Sequence, residues 1–377
     1  MTAPTQLEEI RATVERAGRG AGGLRIAGRG SWLAAGGPVD AGETLSLSAY
    51  SGIVDYVPGD LTITVRAGTP LSAIAGVTRE HGQWLPLDPA GSPDGTIGAT
   101  VSTGSYGPLA TAFGRPRDQV LGLEFVSGSG EIITVGSRVV KNVAGFDLVR
   151  LLVGSWGTLG VITQITLRLR ARSEVERTAA IAAPARGQKL AAALSAVRAA
   201  RLAPLALELL SPALSQRLGL GDATLLLARF GGNEDSVSAQ MNELASLGEA
   251  VPVDDQCWEK LRAVDGQATG TVRFSTPLTD LPLVWDALGG DGIDGQELMR
   301  HATVMRGIVR CMLNGSGSPV AAIARAPGSA RLIAERLDRV SWSALAPSPV
   351  SDPISNRVKQ AFDPSNVLNP GIFGVAW

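Results

Sequence analysis

Apolar positions along the first 170 residues follow two periods, and the changes between them mark out the elements. Leu7, Ile10, Val14 and Ala17 recur at helical spacing, and Gly18 and Gly20 end that run. Residues 24–27 (LRIA) read as a short strand leading into Gly28-Arg29-Gly30-Ser31, and residues 43–47 as a second. Leu61, Ile63 and Val65 alternate with Thr62, Thr64 and Arg66, the period of two of a strand with one buried face. Thr69-Pro70 opens a helix that stops near His81-Gly82. Leu121, Leu123 and Phe125 alternate again. Ser127-Gly128-Ser129-Gly130 turns the chain, and residues 131–135 return as a hairpin partner. Ile165, Leu167 and Leu169 close this strand-rich half.

Beyond residues 171–176 glycine thins out and alanine-rich helical patterns appear at 187–201 and 234–247. Between and after them lie strand patterns at 206–210, 223–229, 270–275 and 301–312. Residues 346–354, rich in Pro and Ser, read as a connector before a closing segment, FDPSNVLNPGIF, at 362–373. The order of elements predicts an α+β protein rather than regular βαβ repetition. It divides into residues 1–172, a second α+β domain at 173–345, and a C-terminal segment at 346–377.

A chain of 377 residues, 45% hydrophobic and 18% charged, has the composition of compact domains rather than of a disordered polymer. A formal net charge of −1 gives no field to draw it to nucleic acid or an anionic membrane. The N-terminal residues include acids and lack the apolar stretch of a signal peptide, and no run has the length of a membrane span. Cys257 and Cys311 have no C-x-x-C neighbour, which predicts reduced, half-buried thiols and no iron–sulfur or disulfide site. The expected location is cytoplasmic, with any membrane association made through a complex.

The 46 glycines exceed the usual ~7% share, and two dense stretches carry much of the excess: TIGATVSTGSYGP at 96–108 and KNVAGFDLVRLLVGSWGTLGVITQITLRL at 141–169. Neither is a G-x-G-x-x-G entering a long helix nor a G-x-x-x-x-G-K-[ST] loop, so the two common nucleotide loops are excluded. With residues 27–31 they make three Gly-Ser/Thr loops, at 27–31, 96–107 and 154–160, that hold no Asp or Glu. That chemistry brings bare backbone N–H groups against a pyrophosphate. Each loop taken alone also reads as a tight turn between strands. Arg29 and Arg117 are candidates for charge compensation, Ile97 and Ile162 for apolar walls, and Ser102 and Thr103 for hydrogen-bond donors.

The succession GRGS, VRAGTPL, GQWLPLDP, TIGATVSTGSYGP, VVKNVAGFDL, GSWGTLGVIT and DPSNVLNPG resembles the vanillyl-alcohol-oxidase/PCMH-type flavoproteins. Within them, SGIVDY, KNVAGFDLVRLLVGS, CWEKLR and HATVMRG are most similar to the smaller flavin subunits of bacterial glycolate oxidases. The resemblance implies a two-lobed FAD-binding domain, an α+β cap domain, and a C-terminal segment that returns to the flavin. It also implies site residues. Ala27, Gly28, Arg29, Gly30 and Ser31 would form the first pyrophosphate loop. Pro86, Leu87 and Asp88 would run beside the isoalloxazine. Thr96, Ile97, Gly98, Ser102, Thr103 and Gly104 would hold the ribityl and phosphates, with Arg117 and Asp118 near the adenine. Gly160, Val161 and Ile162 would close over the flavin. Trp32 stands where covalently tethering members often have His and where relatives favour a basic residue, and Ile372 stands where they favour Arg. FAD is therefore expected to bind non-covalently.

Oxidation of a 2-hydroxy acid needs a cation for the carboxylate, a base for the hydroxyl proton and a Cα hydrogen facing the flavin. His301 with Arg300 and Arg306 is the local cluster offering a base and two cations. Read as one strand, RHATVMR puts the arginines on one face and His301 on the other. His81 reads as a cation at a helix C-terminus. No metal is expected, because the chain holds two histidines far apart in sequence. Three readings stand. The first is an FAD subunit of a glycolate (2-hydroxy acid) oxidase, passing electrons between a second flavin subunit and an iron–sulfur subunit. The others are a self-sufficient FAD oxidoreductase on another hydroxy acid or alcohol, and a non-catalytic assembly subunit.

Overall fold

The computed structural model describes residues 1–136, 147–289, 298–313, 329–337, 342 and 352–373. The KNVAGF part of the second glycine-dense stretch and residues 346–351 of the connector lie outside them. The chain forms two compact units. One comprises residues 1–106, 114–172 and 348–377, and the other residues 107–113 and 173–347.

The first unit is built on a five-stranded antiparallel sheet in the order Ile53–Val57, Thr62–Arg66, Val161–Arg168, Val120–Val126, Ile132–Gly136. Leu24–Ala27 and Glu43–Ser46 form a separate parallel pair. The Thr62–Arg66 strand is buried on both faces, not one. Thr64 lies opposite Thr166 and their hydroxyls share a hydrogen bond of 3.0 Å, so a polar face is covered without leaving orphan oxygens. Ile63, Val65, Phe125, Val161, Ile165 and Leu167 form the apolar interior against Ile10 and Val14 of the Leu7–Arg16 helix and Ile97 and Val101 of the Ile97–Thr103 helix.

The C-terminal segment belongs to this unit and is held by a buried ammonium. Lys359 Nζ donates to Asp363 Oδ2 (2.6 Å) and to the carbonyls of Thr158 (2.9 Å) and Leu368 (3.3 Å). Asp363 accepts in turn from the amides of Val367 and Leu368. Burial pulls the Lys359 pKa below the ordinary lysine value, and the adjacent Asp363 offsets part of that pull.

The second unit is an eight-stranded antiparallel sheet ordered Ala250–Val253, Val175–Ala182, Leu225–Gly232, Ala206–Leu210, Met299–Thr303, Ile308–Leu313, Gly270–Ser275, Arg331–Arg336. Helices Gly187–Ala199, Glu234–Leu247 and Leu281–Ala287 cover one face, where Leu207 and Leu209 point. Helices Pro212–Leu218 and Gln256–Gln267 cover the other, where Ala206 and Leu210 point. The 301–312 pattern is thus two strands. Met299–Thr303 and Ile308–Leu313 form a hairpin whose turn contains Gly307 at φ +63°. Cys257 and Cys311 are free and fully buried rather than half-buried, and burial first of all pushes both thiols up to about 12, which leaves neither a nucleophile. Among the described residues no helix is long and apolar enough to cross a membrane.

Candidate functional site

In the first unit a cleft opens where the Leu24–Ala27 strand, the loop after it, the Ile97–Thr103 helix and the C-terminal segment meet. Eleven of the sequence-predicted residues line it: Ala27, Gly28, Arg29, Gly30 and Ser31, then Thr96, Gly98, Ser102 and Thr103, then Gly160 and Ile162. The close fit between loop and helix demands glycine. A Cβ on Gly28 would lie 2.2 Å from Thr96 Oγ1, and one on Gly98 2.7 Å from both the Cβ and the carbonyl oxygen of Ala67.

Most amides of the two later loops are not bare, contrary to expectation. Residues 97–103 form a helix capped by Thr96, whose Oγ1 accepts from Ala99 N at 3.3 Å. Ile97 N donates to Thr69 O, Gly98 N to Ala67 O and Thr100 N to Thr96 O. Gly154 N and Trp156 N donate to the carbonyls of Val101 and Ser102. The backbone N–H groups of Gly28, Arg29 and Gly30 have no partner among the described residues, and neither does the Ser102 hydroxyl. The first loop therefore offers an anion a run of three consecutive free amides, and the helix adds a wall and the Ser102 hydroxyl.

The remaining predicted residues are placed elsewhere. Ile97 and Val161 are fully buried in the apolar core. Helix and strand periodicity turn them away from Gly98 and Ile162, which line the cleft. Gly104 is the left-handed residue ending the helix, φ +64°, and its close neighbour is the Gly154 backbone, 3.2 Å from a built Cβ. Pro86 and Leu87 are buried and Asp88 half-buried in an irregular segment outside the lining, where Leu87 N turns back to Leu85 O at 2.8 Å. Asp118 accepts from Arg115 N at 2.8 Å as the cap of the Pro116–Gln119 turn of helix. Its contact with Arg117 is a loose 3.9 Å between exposed side chains. His81 sits in the turn after the Leu71–Arg79 helix, edge-on to Tyr56 at 5.3 Å.

Arg25, Trp156 and Asn369 line the cleft without having been among the predicted site residues, and Trp32 and Ile372, the two departures from the family pattern, line it too. Trp32 and Trp156 meet edge to face at 6.0 Å. Trp156 holds a left-handed backbone, φ +55°, and its carbonyl accepts from Asn369 Nδ2 at 2.7 Å. Asn369 Oδ1 accepts from Ile26 N at 2.8 Å, so one amide side chain ties the C-terminal segment to both walls. Polar residues in LRIA and VLNP were the only local signal for Arg25 and Asn369. Among the described residues the cleft is lined by two cations, Arg25 and Arg29, and by no carboxylate, histidine, cysteine or tyrosine. Apolar side chains flank a ring of glycine backbone. Such a wall fits a flat ligand with one anionic centre, as FAD is.

In the second unit, Arg300 and His301 take opposite faces of their strand. The Arg300 guanidinium lies 4.4 Å over the Trp285 ring. His301 Nδ1 is 2.6 Å from Glu208 Oε2, and both side chains are buried. Arg306 does not share Arg300's face, because the strand ends at Thr303. It is exposed in the turn and donates to Thr111 O at 3.3 Å. His301 Nε2 and Glu208 Oε1 are buried without partners. A carboxylate oxygen accepts and a ring N–H donates, so the contact runs from Nδ1 to Oε2 and leaves Nε2 as the second ring nitrogen. The three residues therefore do not form one cluster, and Glu208 is the missed member of the pair that does form. No group of three or more His, Cys, Asp or Glu suited to a metal occurs among the described residues.

The FAD binding domain family matches residues 1–136, the part of the chain that supplies most of the cleft. The glycolate oxidase subunit GlcE of Escherichia coli is 33% identical over 92% of this chain and 91% of its own length. D-2-hydroxyglutarate dehydrogenase of Xanthomonas citri is 36% identical over 44% of this chain, which spans only 35% of that enzyme. The crystal structure of p-cresol methylhydroxylase with substrate bound superposes over the whole chain and 88% of its own, with a TM-score of 0.74 and 16% identity. That likeness establishes the PCMH-type α+β fold, and the domain match establishes FAD as cofactor. By its similarity to GlcE along nearly its full length, the chain belongs to the FAD-binding family of that glycolate oxidase subunit.

Proposed function

We propose that this chain is the FAD-carrying subunit of a glycolate (2-hydroxy acid) oxidase or dehydrogenase complex, working with a second flavin subunit and an iron–sulfur subunit. The observation that carries the reading is the cleft: glycine-walled, without a carboxylate among its described lining residues, and formed mostly within residues 1–136, which match the FAD-binding domain, in a chain that matches GlcE over 92% of its length. Bound FAD supplies a two-electron acceptor. Gly28, Arg29 and Gly30 offer their free amides to the pyrophosphate, and Ser102 offers its hydroxyl. Ile26, Ile162 and the Trp32–Trp156 pair give flat apolar walls that keep water from the ring. The domains are residues 1–172 and 173–345, with 346–377 returning to the first.

A second reading, a self-sufficient oxidoreductase, is favoured by the Glu208–His301 pair, whose Nε2, buried and without a partner, is the ring nitrogen left to take a hydroxyl proton. Anaerobic absorbance titration separates the two. The purified chain is expected to be yellow, to keep its flavin oxidised with glycolate alone, and to be bleached by glycolate once its partner flavin subunit is added. Rapid bleaching by glycolate alone, abolished by His301→Asn, would establish the second reading. A colourless protein indifferent to added FAD would refute both.

A further inference from the structure

Arg25 is a half-buried cation in the cleft wall, and no carboxylate pairs with it among the described residues. Its Nη2 donates to three carbonyls of the following loop, Trp32 O at 3.1 Å, Leu33 O at 3.1 Å and Ala35 O at 2.9 Å. Its Nη1 is buried and has no partner. A guanidinium does not escape burial by losing its proton, and carbonyl dipoles on one side answer only part of its charge. Burial accordingly pulls its pKa below the usual arginine value. An anion on the Nη1 side completes such a site. In oxidised FAD the formal negative charges lie on the pyrophosphate, while the adenine and the isoalloxazine are neutral. The unpartnered amides of Gly28, Arg29 and Gly30 follow Arg25 within five residues and offer donors to the same kind of group.

We infer that Arg25 is the internal counter-charge of the FAD pyrophosphate, donating to it from Nη1 while Nη2 holds the loop that carries Trp32. This rests on the reading that the cleft is the FAD site, and it adds a residue that neither the loop pattern nor the family resemblance picked out. Lysine does not replace it, because one ammonium lacks the fork that serves carbonyls and phosphate at once.

The test compares binding of FAD, ADP and riboflavin to the flavin-stripped full-length chain, in wild type, Arg25→Met and Arg25→Lys. Loss of one charge-assisted contact predicts that Arg25→Met binds FAD and ADP about 10- to 100-fold more weakly. Riboflavin, which lacks the pyrophosphate, is expected to change less than about twofold. Arg25→Lys is expected to lose about fivefold for FAD and ADP, and it is the variant to read if Arg25→Met does not fold. Equal losses for all three ligands would mean that Arg25 only shapes the loop, and unchanged FAD and ADP affinity would mean that it does not meet the phosphates. Either result overturns the inference. Failure of the wild-type chain to bind FAD at all would instead overturn the assignment of the cleft.

Discussion

Gly98→Val is expected to yield a chain that folds its second unit normally, purifies without flavin and has a weakened first unit. Gly98 is buried in the first turn of the Ile97–Thr103 helix, and its N–H donates to Ala67 O at 2.9 Å. A Cβ at this position lies 2.7 Å from that same oxygen and 2.7 Å from Ala67 Cβ, closer than packed atoms approach. The obstruction is backbone, so no rotamer change relieves it, and valine adds two methyls beyond the Cβ. The helix must lift away from Ala67, the residue that follows the Thr62–Arg66 strand, and it takes Thr96, Ser102 and Thr103 away from the opposite wall. Overpacking of this kind costs about 1–3 kcal/mol. Helix propensity returns only about 0.3–0.5 kcal/mol, since glycine is the poorer helix former. The loss of cofactor is the larger effect, because the cleft depends on the helix meeting the Gly28 loop. Gly76 is the control: it is exposed in the Leu71–Arg79 helix with nothing within 4 Å of a built Cβ. Gly76→Ala is expected to keep stoichiometric flavin and gain about 0.5–1 kcal/mol. Flavin content and urea midpoint read both variants. Stoichiometric flavin in Gly98→Val would place the cofactor elsewhere.

Arg310→Met is expected to destabilise the second unit by about 3–5 kcal/mol, the usual result of removing one partner from a buried ionic cluster. Arg310 Nη1 lies 2.6 Å from Glu335 Oε2 and 3.1 Å from Asp265 Oδ2, and all three side chains are buried. Arg273 Nε adds a 3.4 Å contact to Glu335. Without Arg310, the buried Asp265 and Glu335 carboxylates lose the cation they share, and Arg273 and Arg336 still act on Glu335. Burial by itself raises the Glu335 carboxyl, but Arg310 and then Arg273 outweigh it and hold the pKa below the usual glutamate value. The sign follows. This carboxylate's contribution is fully present above its unfolded pKa of about 4.3 and is lost as pH falls through the lower folded value. Wild-type stability should therefore fall with acid below about pH 4, and Arg310→Met should lose most of that dependence on Glu335 along with its stability at neutral pH. Amide exchange in Gly270–Ser275 and Ile308–Leu313, the strands that the cluster bridges, reads the effect locally. Protection equal to wild type would mean that the cluster contributes nothing net.

Alternation in the sequence located the Thr62–Arg66, Val120–Val126 and Val161–Arg168 strands, because each carries large apolar residues at every second position. It failed to show that Thr62 and Thr64 are also covered, since a buried threonine paired to Thr166 looks in sequence like a solvent-facing one. Residues 97–103 read as a loop because glycine and β-branched residues are weak helix formers. The helix is set by long-range bonds to the Thr69 and Ala67 carbonyls, which leave no local trace. The same holds for Trp156 and Asn369. They reach the cleft through contacts spanning 213 residues and, from Asn369 to Ile26, 343 residues. Arg25 and Glu208 were visible as charges in apolar strands, LRIA and LALELL. Their partners, three loop carbonyls and a histidine on another strand, were not.

The cleft of the first unit is expected to hold FAD without a covalent bond. The direct measurement is the flavin content of the purified full-length chain before and after denaturation, with the released flavin identified by chromatography. One FAD per chain, all of it freed into solution on unfolding, is the predicted result. Flavin that stays attached to the unfolded polypeptide, or a chain that takes up no FAD when it is supplied, would contradict it.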